Sequence, residues 1–92
     1  MPYIQQEIRW KIDNEIDTLI YQLEKMSYDD LDGVVNYIIS RIINRFYNKP
    51  SYRTISRGKA VLEDAKDEFN RRVMIPYEEK KIAENGDIYC KK

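Results

Sequence analysis

The apolar residues between Leu31 and Tyr47 recur at steps of three and four, which places them along one side of a helix. Ser27 precedes this run as a candidate N-cap, and acids follow it in what would be the first turn, where the helix dipole favours negative charge. β-branched residues in the run favour a strand, but a run of about seventeen residues at this spacing outweighs them. We predict a helix that is apolar over more than half its circumference and is therefore the central, most buried one. Its apolar members are Leu31, Val34, Val35, Ile38, Ile39, Ile42, Ile43 and Phe46.

Two further helices are predicted on either side. The first runs from about Ile4 to Met26, again with apolar residues three and four apart. A turn at 48–51 follows the central helix, because Pro50 blocks its continuation and Ser51 can cap the next one. The third helix begins between Tyr52 and Ser56. The predicted fold class is all-α: an antiparallel helical hairpin plus a third helix, in a single helical domain over 1–86 with a tail over 87–92.

Pro76 interrupts the third predicted helix. A proline inside a helix lacks the N–H of one backbone hydrogen bond, and its ring clashes with the carbonyl four residues earlier, here that of Arg72. The proline also suits the first turn of a new helix, and Asn85–Gly86 is a typical helix end. We therefore predict that the third helix is kinked or broken near Pro76.

Size and composition limit what the chain can do. With 92 residues it forms a thin core, which favours a homo-oligomer. It has no histidine and one cysteine, so zinc sites and His-based nucleophilic triads are excluded, and no glycine-rich phosphate loop is present. We expect no enzyme activity, no cofactor and no metal. The acids at 63–68 and 78–79 have no converging third element, so a solvated helix face is favoured over a cation site.

The cellular setting is expected to be the cytoplasm. Cys90 has no partner for an internal disulfide, which fits a reducing compartment. The first residues do not resemble a signal peptide, and no apolar run approaches the length of a membrane span. Membranes are not expected as partners, and neither are nucleic acids.

Charge is distributed unevenly although the net charge is zero. Residues 1–30 carry three basic and seven acidic side chains, whereas residues 31–60 carry six basic and one acidic side chain. A basic residue recurs every fourth position at Arg41, Arg45, Lys49, Arg53 and Arg57. Arginine binds oxyanions in a bidentate manner, so this series suggests a phosphate or nucleotide site. The alternative is structural: the basic residues complement the helix dipole and pair with the acidic first segment.

Tyrosines stand near these basic residues, and their rings suit base stacking or protein interfaces. A boundary layer around a thin core is the alternative use of so many tyrosines. A second basic pair precedes the proline. The candidate ligand-binding residues are Tyr37, Arg41, Arg45, Arg53, Arg71, Arg72 and Tyr77.

Three stretches of the chain together indicate a family resemblance. They are the start Met1-Pro2-Tyr3-Ile4, the segment Val35-Asn36-Tyr37-Ile38-Ile39-Ser40-Arg41, and the region from Val61 through Arg71-Arg72-Val73-Met74-Ile75-Pro76-Tyr77 to Glu84-Asn85-Gly86-Asp87. With these stretches the chain resembles a family of short proteins of unknown function found in phages and bacterial genomes. The resemblance implies a phage or prophage origin and no named activity.

Two functions are expected from these features. The first is a phage-type accessory protein that binds and sequesters an anionic small molecule, such as a signalling nucleotide of bacterial immunity, in the host cytosol. The second is a protein–protein adaptor or inhibitor that blocks a host protein with its tyrosine-rich face. A small-ligand panel separates the two, because a ligand that binds only the folded protein stabilises it.

Overall fold

The computed structural model describes residues 1–89 as an all-α chain, and no strand occurs among them. The prediction for the fold class is confirmed. The elements are α1 (Gln6–Trp10), α2 (Asp13–Glu24), α3 (Tyr28–Tyr47), α4 (Tyr52–Phe69), a π-helical turn (Asn70–Met74) and α5 (Ile75–Asn85). The predicted tail residue Cys90 lies outside the described residues.

The prediction of one continuous first helix is wrong, because a short turn separates α1 from α2. The N–H of Lys11 donates to the carbonyl of Ile8 at 3.2 Å, and Ile12 leaves the helical region with φ −123° and ψ −14°. The sequence after the turn explains the restart: Asp13 and Glu15 occupy the first turn of α2, where the helix dipole favours acids. Apolar spacing alone did not reveal this interruption.

Helix α3 begins where the sequence predicts. Ser27 holds the extended N-cap conformation, with φ −71° and ψ 153°, and Asp29 and Asp30 lie in the first turn. The Ser27 hydroxyl donates to Asp30 Oδ2 at 3.2 Å rather than accepting a backbone N–H. The cap position is therefore confirmed, while its hydrogen bond is made between two side chains.

Helices α2 and α3 form an antiparallel hairpin. Leu23 and Leu31, on either side of the connection, line one hollow, and Leu19 lines another together with Ile42. Residues later in α3 thus lie opposite residues earlier in α2, as in any antiparallel pair of helices. Short connections of this kind are typical of antiparallel helical neighbours.

Helix α4 follows the predicted turn and passes close to the end of α3. Ser51 Oγ accepts the Thr54 N–H at 3.4 Å, so the predicted cap is present. Gly58 is buried, and a Cβ added there would lie 2.6 Å from Cβ of Tyr47. Real Cβ atoms do not approach other carbons so closely, so this contact requires glycine.

The predicted interruption near Pro76 takes the form of the π-turn. The N–H of Ile75 donates to the carbonyl of Asn70, five residues earlier, and the backbone stays in the right-handed helical region at Met74 and Ile75. A π-turn contains one residue more than an α-helical turn. The carbonyl groups before Pro76 can therefore avoid a clash with the proline ring. Gly86, with φ +95°, ends α5 as predicted, and its N–H donates to Ile82 at 2.8 Å.

Helix α3 has more half-buried residues than any other helix, as predicted for the central one, but its burial is far from complete. No apolar side chain among residues 1–89 is fully buried, and the members of α3 are half-buried or exposed. The physical reason is that a helix apolar on most sides needs more neighbours than α2 and the start of α4 supply. Apolar periodicity identifies the residues that seek burial, but it does not say whether one chain can bury them.

The backbone groups into two units: residues 2–58, and Met1 with the chain from Lys59 onward. The first holds the hairpin and the contact of Tyr47 with Gly58. The second holds the π-turn and α5. A single domain over 1–86 with a tail over 87–92 stays a prediction. None of the helices formed by residues 1–89 is both long enough and apolar enough to cross a membrane.

Candidate anion-binding site

Helix α3 aligns three of the candidate residues. Tyr37, Arg41 and Arg45 are four residues apart, and residues at this spacing are neighbours on a helix surface. Cζ of Arg41 lies 5.7 Å from the centre of the Tyr37 ring, within the range of a cation–π contact. Both arginines come after the middle of α3, whose last turn favours positive charge.

The three residues border an open hollow of about 540 Å³. Its other lining residues are apolar, and one comes from the neighbouring helix of the hairpin. Cζ of Arg45 also lies 5.8 Å from the centre of the Phe46 ring. The hollow therefore combines two guanidinium groups with aromatic and aliphatic surface. The lining residues are Leu19, Tyr37, Ile38, Arg41, Ile42, Arg45 and Phe46.

Neither guanidinium forms an ion pair with an acid among residues 1–89. The ion pairs found in residues 1–89 all lie outside α3, and none involves an acid of α1 or α2. The structural alternative, in which these arginines pair with the acidic first segment of the same chain, is therefore not realised in this part of the molecule. Arg41 and Arg45 keep their hydrogen-bond donors available for an anion or for another chain.

Arg53 is not brought to this hollow. It lies in the first turn of α4, exposed, and the residues that line the hollow do not include it. The helix N-terminus beside it is partly satisfied, because Ser51 accepts the Thr54 N–H. An anion there would meet fewer free backbone donors than an uncapped terminus offers.

The candidates around Pro76 form a separate group in the second unit. Arg71 is engaged: its Nε and Nη2 lie 2.7 Å and 2.5 Å from the same oxygen, Oε1 of the half-buried Glu68. Lys81 Nζ lies 5.6 Å from the Tyr77 ring centre and donates to Glu84 at 3.1 Å. Arg72 is exposed and makes no ion pair with the acids of residues 1–89. This group offers one unengaged arginine, whereas the hollow on α3 offers two.

Sequence reasoning missed the apolar half of the hollow. Leu19, Ile42 and Phe46 belong to the helical spacing that indicated a core, so nothing marked them as site residues. A second hollow, of about 430 Å³, lies at the tip of the hairpin between Leu23 and Tyr28 and has one charged residue, Glu24, in its lining. Within residues 1–89, no three potential metal ligands from His, Cys, Asp and Glu are grouped together.

Comparison with known families identifies a family that this chain matches. The sequence profile described as Domain of unknown function (DUF6899) matches residues 1–88, which is nearly the whole chain. No curated protein matches the chain, and no solved structure matches it.

Proposed function

The chain belongs to the DUF6899 family, whose function is unknown, and we propose that it binds and sequesters an anionic small molecule without catalysing a reaction on it. The observation that supports this proposal is the pair of unneutralised guanidinium groups, Arg41 and Arg45, beside an apolar hollow. A sequestering protein needs affinity alone, and arginine–oxyanion hydrogen bonds together with ring stacking provide it.

Among anionic small molecules, a nucleotide best fits the chemistry of this hollow. Its phosphates would lie against the guanidinium groups of Arg41 and Arg45, and its planar base would lie on Tyr37 or Phe46. Each charge-assisted hydrogen bond contributes about 1.5–3 kcal/mol, and stacking of a base on an aromatic ring contributes about 1–3 kcal/mol. Two guanidinium–phosphate bonds and one stacked base together contribute about 4–9 kcal/mol, a range whose upper part corresponds to micromolar affinity.

The biological setting of this proposal rests on sequence resemblance to short phage and bacterial proteins. We place the protein in the cytoplasm of a bacterial host as a phage-type accessory protein that acts against host defence. Its ligand would be a signalling nucleotide, withdrawn from the immune response by binding. Such a role requires neither a metal nor an active site.

The test is a thermal-shift panel of cyclic and linear nucleotides, with nucleosides and inorganic phosphate alongside, followed by calorimetric titration of the hits. Ligand binding stabilises the folded protein by about 2.7 kcal/mol at a hundredfold excess over Kd. Arg41→Ala and Arg45→Ala should each weaken binding by about 1.5–3 kcal/mol while leaving the fold intact, since exposed charges contribute little to stability.

Arg57→Ala provides the matched control. It removes the same charge from an exposed position on α4 that does not line the hollow. An equal loss of affinity in Arg57→Ala would show that the ligand responds to the overall positive charge of the protein and not to Arg41 and Arg45 in particular. That result would contradict the assignment of the site. Equal affinity for wild type, Arg41→Ala and Arg45→Ala would move the site to Arg71, Arg72 and Tyr77.

A protein adaptor or inhibitor is the second candidate, and exposed tyrosines favour it. Tyr28 and Tyr52 are each 89% exposed, more than a boundary layer around a core requires. Tyrosine is enriched in protein interfaces because its ring is apolar and its hydroxyl is polar. A panel without any small-ligand hit, together with a host protein whose binding is lost in Tyr28→Ala and Tyr52→Ala, would favour this function.

A further inference from the structure

One face of α3 carries a regular apolar stripe that the rest of residues 1–89 covers only in part. Val35, Ile39, Ile42 and Phe46 follow one another at steps of four, three and four, the spacing of a coiled-coil seam. They are 37%, 44%, 53% and 61% exposed, respectively. Monomers rarely expose a contiguous apolar surface of this kind, so the stripe points to an interaction surface.

The stripe is symmetric along the helix. Val35 and Phe46 lie equally far from the midpoint between Ser40 and Arg41, and so do Ile39 and Ile42. An antiparallel copy of α3 centred on that midpoint places each stripe residue over its symmetry counterpart. This self-complementarity is what a two-fold interface requires.

The charges of α3 favour the same orientation. The start of the helix is acidic, with Asp29, Asp30 and Asp32, and its second half and the following turn are basic, with Arg41, Arg45 and Lys49. Antiparallel pairing brings the basic end of one helix to the acidic start of the other, and it brings Asp32 near the partner's Lys49. Parallel pairing would set like charges side by side.

We propose that a second copy of this chain covers the stripe, with the two α3 helices packed antiparallel. The copies bury Val35, Ile39, Ile42 and Phe46 against one another, and pairs between Asp32 and the partner's Lys49 fix the orientation. Two of the stripe residues, Ile42 and Phe46, also line the hollow beside Arg41, so the dimer leaves Tyr37 as the ring available to a base. Ile39, Asp32 and Lys49 do not line that hollow, so variants at these three positions test assembly separately from ligand binding.

The first test measures self-association. Light scattering and sedimentation equilibrium at high micromolar concentration should give twice the mass of one chain, or an even multiple of it. Ile39→Glu places a charge in the middle of the seam and should raise the dissociation constant by about tenfold or more. Ile55→Glu is the matched control, since Ile55 is 52% exposed and lies on α4. A wild-type monomer, or dissociation by Ile55→Glu with an intact Ile39→Glu assembly, overturns the proposal.

The second test is a charge exchange that leaves the apolar stripe intact. Asp32→Lys and Lys49→Glu should each weaken association several-fold, about tenfold at most, because each replaces two attractive pairs by repulsive ones across the two-fold axis. The double variant restores opposite charges and should recover the wild-type dissociation constant. Circular dichroism of each variant confirms that the helices persist. Additive losses in the double variant overturn the antiparallel arrangement.

Discussion

Residues 2–58 and residues 59–89 differ in how far apart in sequence their contacting residues lie. In the first unit, residues distant in sequence meet: Tyr47 touches Gly58, and Leu19 shares a hollow with Phe46. In the second unit, Glu68 with Arg71 and Lys81 with Glu84 join residues one turn apart. The exception there is the Met1 terminal amine, which lies 3.4 Å from Asp64 in an exposed pair.

This difference determines how substitutions should act. Where helices touch, stability depends on the fit between side chains and backbone, and a single added methyl group is felt strongly. Where a helix is maintained by local interactions, stability depends on backbone conformation and on weak exposed pairs. The unit with the hairpin should therefore show the largest responses to small changes.

The largest effect is expected for Gly58→Ala. The new Cβ would lie 2.6 Å from Cβ and 2.9 Å from Cγ of Tyr47, so α3 and α4 must move apart. Overpacking of this kind costs about 1–3 kcal/mol, more than the helix propensity of alanine returns. Urea unfolding followed by circular dichroism measures the change.

Gly33→Ala is the control for this prediction. Gly33 is also helical, but a Cβ added there meets nothing within 4 Å. The same substitution should therefore raise the free energy of unfolding by about 0.5–1 kcal/mol. Equal changes in the free energy of unfolding for Gly33→Ala and Gly58→Ala would contradict the prediction that the contact with Tyr47 makes Gly58 the more sensitive position.

An intermediate effect is expected for Pro76→Ala. Alanine restores the backbone N–H and removes the ring, so the π-turn can return to an α-helical turn. We expect a gain of about 1 kcal/mol, less than the ~3 kcal/mol cost of an unrelieved interior proline, because the π-turn already avoids the clash.

If the ligand is held by Arg71, Arg72 and Tyr77, the same substitution should impair ligand binding more than it changes stability. In an α-helix, the side chain that lies one turn above Phe69 on the same face is that of Val73. In a π-turn it is that of Met74. Pro76→Ala therefore rotates Tyr77 and the surface that follows it. Ligand titration of the variant checks this, and an unchanged affinity would show that the π-turn has no role in ligand binding.

The smallest effect is expected in the local ion pairs. Glu68→Ala removes an acceptor of two Arg71 N–H groups and should cost about 0.5 kcal/mol, since the arginine side chain is 61% exposed. Glu84→Ala makes the same change in a pair whose members are both about half exposed, and it should cost less. Thermal unfolding compares them, and a larger loss for Glu84→Ala would contradict the ranking by burial.

The candidate site shows where sequence reasoning succeeded and where it stopped. The four-residue spacing of Tyr37, Arg41 and Arg45 was sufficient to align them, because a helix turns by a fixed angle per residue. The same argument could not place Arg53, since its position depends on the turn before α4. The apolar wall supplied by Leu19 depends on how α2 folds back on α3, which no local pattern specifies.

Sequence by itself determined the helical class and most helix boundaries of this protein. Ser27, Pro50 and Gly86 act on the backbone within a few residues, so their effects are independent of distant parts of the chain. Tertiary structure alone decided the contact of Tyr47 with Gly58 and the exposure of α3. Burial depends on which surfaces meet, and apolar spacing records only which side chains gain from leaving water.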